Sequence, residues 1–177
     1  MIYDSIYSIS TENHGLVTSA AAKEVGAKDK DLARWVKIGR MIKIGHGVYR
    51  TLQYPFSEDD VYANAVACAG AKAYLFGESV IGLLRLAPTN PKIIHIAVPV
   101  RSRRQLPASC KVHIQPAGYT PAIRDGIPIQ KPADAIRSCL GVMMPERLES
   151  AADEAYRTGL LFKTDYQQLM EEIKRHA

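Results

Sequence analysis

Cysteine is scarce in this sequence. Cys68, Cys110 and Cys139 are odd in number, far apart and set in apolar surroundings. That pattern excludes a disulfide framework and a zinc cluster, both of which need closer, paired spacing, and it predicts buried free thiols in a reducing cytoplasm. No apolar run approaches the roughly 18 residues that a membrane-spanning helix needs, so no membrane partner is expected. Met1-Ile2-Tyr3-Asp4-Ser5 has neither the basic nor the apolar segment of a signal peptide. Motifs for nucleophilic catalysis, phosphate cradling and zinc hydrolysis are also missing: there is no G-x-S-x-G, no Walker A loop and no H-E-x-x-H. Glu149, Asp153 and Glu154 stand at helical spacing beside Arg147 and Arg157, which reads as a solvated ion-pair face. No catalytic residue, cofactor or metal is therefore expected, and the chain reads as a non-enzyme.

What is present is a chain of 177 residues, 47% hydrophobic and 23% charged, long enough for one domain of ordinary size or for a small one plus a medium one. The formal net charge is +5. Its placement says more than its size. Residues 28–50 hold Lys28, Lys30, Arg34, Lys37, Arg40, Lys43 and Arg50 against Asp29 and Asp31, so the whole excess resides in one short stretch. A local basic stripe is the electrostatic footprint of a phosphate binder.

The stripe falls on predictable elements. Tyr3, Ile6, Tyr7 and Ile9 form the apolar face of a first helix over 3–13, ended by Asn13-His14-Gly15. Leu16-Val17 is an extended link. Thr18 or Ser19 caps a second helix, Ala20–Val25, closed by Gly26. A third helix follows, with Asp29 as its expected N-cap and Asp31 in its first turn. Leu32, Trp35 and Val36 make its apolar stripe, while Lys30, Arg34 and Lys37, at i, i+4 and i+7, project from the opposite face. Gly39 ends it. Met41–Ile44 and Val48–Arg50 then read as a hairpin across Gly45-His46-Gly47. Three helices and a hairpin in this order are the pattern of a winged helix-turn-helix. The expected interface is Lys28, Lys30, Arg34, Lys37 and Arg40 on or beside the third helix. Lys43, His46 and Arg50 on the wing join it, and Thr18 and Ser19 take a phosphate through side chain and backbone N–H.

Residues 1–54 are thus expected to form a DNA-binding winged domain and residues 58–177 an α+β domain with a small sheet and several helices. In the second, Ser57 is expected to cap a helix over 58–70 that buries Val61, Ala65, Val66 and Cys68. A helix over 77–86 follows. Strands are predicted at Ile93–Val98, Lys111–Gln115 and Ile127–Gln130, the last at a sheet edge because of Pro128. Helices are predicted over 132–140, 145–157 and 164–175, the last capped by Thr164. Arg101, Arg103 and Arg104 offer a second basic site. His95 and His113, on the less apolar faces of two strands whose pairing the sequence leaves open, read as surface imidazoles, with a small hydrolase built on them as the enzymatic alternative.

Gly15-Leu16-Val17-Thr18, the run Leu32–Met41 and Gly47-Val48-Tyr49-Arg50 together resemble the N-terminal domain of AbiEi-type antitoxins. These are the transcriptional-regulator halves of type IV (AbiE) toxin–antitoxin pairs in bacterial abortive infection, a phage defence. Phe76–Leu84, Ile96-Ala97-Val98-Pro99, Asp125–Ile129 and Lys131-Pro132-Ala133 resemble later family segments in the same order. The chain departs from the family at Gly77-Glu78, where a His-Arg pair is usual. The resemblance implies a cytoplasmic repressor that binds inverted repeats of double-stranded DNA in its own promoter. It also implies an antitoxin that counters a nucleotidyltransferase-like toxin without a stable complex. The alternative of another class is a winged module that binds protein or RNA and has no operator.

Overall fold

The computed structural model describes residues 2–89, 92–101, 104, 106 and 109–176. The N-terminal part runs α1 (Ile2–Thr11), β1 (Leu16–Thr18), α2 (Ser19–Glu24), α3 (Asp29–Lys37), β2 (Met41–Gly45) and β3 (Val48–Thr51). The three strands form an antiparallel sheet in the order β1-β3-β2. The Leu16-Val17 link is therefore a strand, pairing Leu16 with Arg50 and Thr18 with Val48. Helix, strand, two helices and a hairpin closing on the first strand make this a winged helix-turn-helix.

Local chemistry explains where its helices begin and end. Thr18 is the N-cap of α2, its hydroxyl oxygen accepting the Ala21 N–H at 3.1 Å. Gly26 and Gly39 follow α2 and α3 at φ 85° and 71°, a left-handed step that a glycine makes without a Cβ clash. The N-cap of α3 is Lys28 rather than the expected Asp29. Asp31 Oδ2 accepts the Lys28 N–H at 3.0 Å, so the carboxylate one turn inside the helix closes its start. Leu32 and Trp35 are buried with Ile6, Val17, Ala22 and Met41, and Tyr3 meets the Trp35 ring edge-on at 5.2 Å.

The remainder comprises α4 (Asp60–Ala69), β4 (Tyr74–Leu75), α5 (Glu78–Leu83), β5 (Ile94–Val98), β6 (Cys110–Ile114), β7 (Ala122–Arg124), β8 (Ile127–Ile129), α6 (Pro132–Arg137), α7 (Pro145–Arg157) and α8 (Lys163–His176). The sheet order is β6-β5-β4-β8-β7, with β5·β6 and β4·β8 parallel and the other pairs antiparallel. The whole is α+β. β8 lies inside the sheet, not at its edge. Its neighbour β4 has two residues and meets it only at Leu75↔Ile129, so the ladder makes little demand on the N–H that Pro128 lacks. Thr164 is the second residue of α8, not its cap.

One sheet face carries Leu75, Ile96, Val98, Ile127 and Ile129 against Ala65, Val66 and Ala69 of α4, and this core extends to Leu16 and Val48 of the wing. Val61 of α4 points away and is exposed. A second core joins Ile81 and Ile136 to Leu148, Ala151, Ala152 and Ala155 of α7 and to Leu169 and Ile173 of α8. The i, i+3, i+4, i+7 spacing of the α7 residues puts small side chains where α8 crosses.

Trp35→Ala is expected to destabilise the chain by about 3–5 kcal/mol, because it empties the space between α1 and α3. Urea unfolding followed by circular dichroism checks this; a loss below about 1 kcal/mol would show that the α1–α3 contact does not hold the winged part together.

Candidate nucleic-acid interface

The outer face of α3 is cationic. Lys28, Lys30, Arg34 and Lys37 are exposed, opposite buried Leu32 and Trp35. Arg34 is 3.8 Å from Asp31 on the same face, a loose i, i+3 pair. Arg40 follows the helix and lays its guanidinium 4.8 Å from the Tyr3 ring centroid, which directs it while leaving it exposed. Among the described residues Lys28, Lys30, Lys37 and Lys43 have no ion pair.

The wing hairpin brings Lys43 and His46, both exposed, beside the start of α2. The Ser19 N–H donates to the Gly47 carbonyl at 2.8 Å. That bond ties the hairpin tip to α2, and it occupies the N–H expected to meet a phosphate. With the Thr18 oxygen engaged as a cap, what this corner offers an anion is hydroxyl hydrogens and the nearby cations.

Arg50 lies inside the fold and not on the wing surface that its sequence position suggests: it is 6% exposed and its Nη2 donates to Asp60 Oδ2 at 2.6 Å. Nη1 donates to the His14 carbonyl at 2.9 Å. Asp60, fully buried, also accepts the Ser57 N–H at 2.8 Å and hydroxyl at 2.9 Å. Ser57 therefore serves Asp60 as a donor. Burial alone would raise the Asp60 carboxyl; the Ser57 donors and Arg50 outweigh it and hold the group below its ordinary 3.8. His14 adds a bridge, with Nε2 2.6 Å from the Asp125 carbonyl and Nδ1 3.3 Å from Asp60 Oδ1. The reason for the change is topological. β3 is the middle strand of its sheet, and its Arg50 faces α4, not solvent.

Of the second basic site, Arg101 and Arg104 are exposed and Arg103 lies outside the described residues. They belong to the connection from β5 to its parallel neighbour β6. Leu106 from this connection packs on the α4 core, and the Arg104 guanidinium lies 3.6 Å from where a Cβ on Gly70 would stand, at the end of α4.

The histidines are not separate surface imidazoles. His95 Nδ1 and His113 Nε2 are 2.9 Å apart, the rings stacked at 5.1 Å, with Phe76 stacked on His113 at 4.5 Å. β5 pairs with β6 at His95↔Lys111 and Ala97↔His113, which sets both rings on one face. Burial lowers both pKa values below 6.5; Lys111 lowers His95 further against an opposing pull from Glu78, and His95 and Lys111 add to the shift at His113. No group of three His, Cys, Asp or Glu suited to a metal occurs among the described residues. Sequence reasoning missed the contact because it depends on the parallel register.

Asp60→Ala is expected to cost about 3–5 kcal/mol by urea unfolding, since it strands a buried guanidinium. Because the folded pKa is depressed, the stability Asp60 supplies is present above 3.8 and is lost as pH falls through the folded value. Asp60→Asn is expected to remove that acid limb from a stability–pH curve, and an unaltered limb would count against the network. The histidine pair acts in another window. Its folded pKa values lie below 6.5, so its contribution is present above 6.5 and falls away as pH drops beneath it. His113→Phe is expected to flatten the thermal-stability profile between about pH 7 and 5.

Residues 9–51 match the family model described as "Transcriptional regulator, AbiEi antitoxin". The match runs from the end of α1 to the last residue of the wing hairpin and takes in the α3 face, Lys43, His46 and Arg50. No curated protein matches the chain. The family is one of regulators and antitoxins rather than enzymes. No helix among the described residues is long and apolar enough to cross a membrane. Over residues 9–51 the winged helix-turn-helix of this chain is thus similar to that of the AbiEi antitoxin family of transcriptional regulators.

Proposed function

We propose that the chain is a DNA-binding autorepressor and the antitoxin of a type IV pair in phage defence. In this reading residues 1–54 bind double-stranded DNA at inverted repeats of the chain's own promoter. Residues 58–177 counter a nucleotidyltransferase-like toxin without forming a stable complex with it. The observation that carries the DNA reading is the exposed cationic face of α3, Lys30, Arg34 and Lys37, on a winged helix-turn-helix that matches a transcriptional-regulator family. A helix of this kind enters the major groove, where a guanidinium reads base edges and ammonium groups neutralise phosphates. Lys28 and Arg40 flank the helix, and Lys43, His46 and the Thr18 and Ser19 hydroxyls face the backbone beside it. Arg50 acts inside the fold and not on DNA.

Arg34→Ala is expected to weaken binding to the promoter repeats by about 1–3 kcal/mol and to relax sequence preference. Lys43→Ala is expected to weaken all duplexes alike and to reduce the salt slope by about 1. Gel shifts across a salt series measure both, and unchanged affinity in both variants overturns this interface. A chain carrying both substitutions is expected to lose repression of a promoter reporter. Co-expressed with the toxin, it still protects cells, because antitoxicity is assigned to residues 58–177.

A further inference from the structure

We infer that the cleft between the wing and α4 binds a small amphipathic anion, an apolar ring or short chain bearing one carboxylate, sulfonate or phosphate. The cleft has a volume of about 780 Å³, within the range of small-molecule sites. Its floor is the junction of α4 with the wing sheet, where Ala63 and Val66 pack with Leu16 and Val48, and Ala20, Ala21, Ala67, Ala71 and Pro128 also line it. These side chains are apolar and mostly small, so the interior suits a flat or slender apolar body.

The rim differs from the interior. Lys43, His46 and Ser19 stand on the wing side, and Arg104 stands at the α4 end, above Gly70. Asp29 also lines the cleft but is paired with Lys23 at 3.3 Å, so those two charges offset each other. Lys43 has no ion pair among the described residues, which leaves the rim with a net positive field. An apolar interior under a cationic rim is complementary to a ligand with one anionic end. Duplex DNA does not meet that description: its phosphates fit the rim, but it has no apolar body for the interior.

The rim and the proposed DNA interface share Lys43, His46 and Ser19. One ammonium group cannot neutralise a ligand and a DNA phosphate at full strength, so occupancy of the cleft and DNA binding oppose each other, and by linkage each weakens the other equally. This regulatory half rests on the DNA-binding reading; the site itself does not.

The test uses the full chain and two fluorescent probes, 1-anilinonaphthalene-8-sulfonate and its neutral analogue N-phenyl-1-naphthylamine. The sulfonate is expected to bind at one saturable site. Ala67→Trp, which fills the cleft, is expected to weaken it by about tenfold or more. Ala71→Trp, at an exposed lining position, repeats the block if the first variant does not fold. Arg104→Gln is expected to weaken the sulfonate several-fold while leaving the neutral probe unchanged. Sulfonate binding that neither tryptophan variant reduces overturns the site. Equal loss of both probes in Arg104→Gln overturns the anionic specificity. Promoter duplex is expected to displace the sulfonate. If the duplex binds in gel shifts without displacing the probe, the linkage is overturned. If the duplex does not bind while the probe does, the DNA reading falls and the site stands.

Discussion

The buried pair of Arg50 and Asp60 is where the winged part and the rest of the chain are fastened together. Taking both charges out of water is expensive, and their attraction offsets that cost only when the remaining donors and acceptors are also satisfied. Here they are. Arg50 reaches the His14 carbonyl as well as the carboxylate, and Asp60 takes both donors of Ser57. Each of these partners sits on a different piece of chain: β3, the α1–β1 turn, and the approach to α4. The pair is satisfied only when all three are in position. Such an arrangement adds little net energy when whole and penalises any half-formed state, so it acts as a constraint on geometry.

What could be read from the sequence was whatever had a short period or a local cap. The α3 stripe of Leu32 and Trp35, with Lys30, Arg34 and Lys37 behind it, repeats at the helical period and folds as expected. Thr18 caps α2, and Gly26 and Gly39 follow their helices, because those preferences act within a few residues. Arg50 defeated the same reasoning. Nothing near it in sequence announces that it faces inward, since its counter-ion lies ten residues away on another element. β4 and β7, of two and three residues, are too short to show an alternation. β8 reads as an edge strand from its proline and lies inside the sheet, because the pairing order is decided by tertiary contacts.

The second sheet divides the labour of its two faces. Leu75, Ile96 and Ile129 look toward α4 and build the core that reaches the wing. Tyr74, Phe76 and Ala97 look the other way, with Tyr119 stacked on Tyr74 and the two imidazoles alongside. Adjacent residues of one short strand thus belong to different environments, an apolar junction on one side and a polar, titratable platform on the other. The family match stops at residue 51, so the platform lies outside the matched segment.

Gly45 shows how close the wing comes to α4. A Cβ there would stand 2.5 Å from Cys68 Sγ, and Cys68 in turn points its thiol at the Ile44 carbonyl. The hairpin is therefore seated on the helix rather than held out from it. A wing carried on a free linker can adapt to the curvature of its target, because its tilt costs nothing. This one is braced, so its tilt is fixed by the fold. On the proposed DNA-binding reading, a duplex that needs a different tilt has to bend, and its deformability enters the choice of site even at positions that no side chain touches.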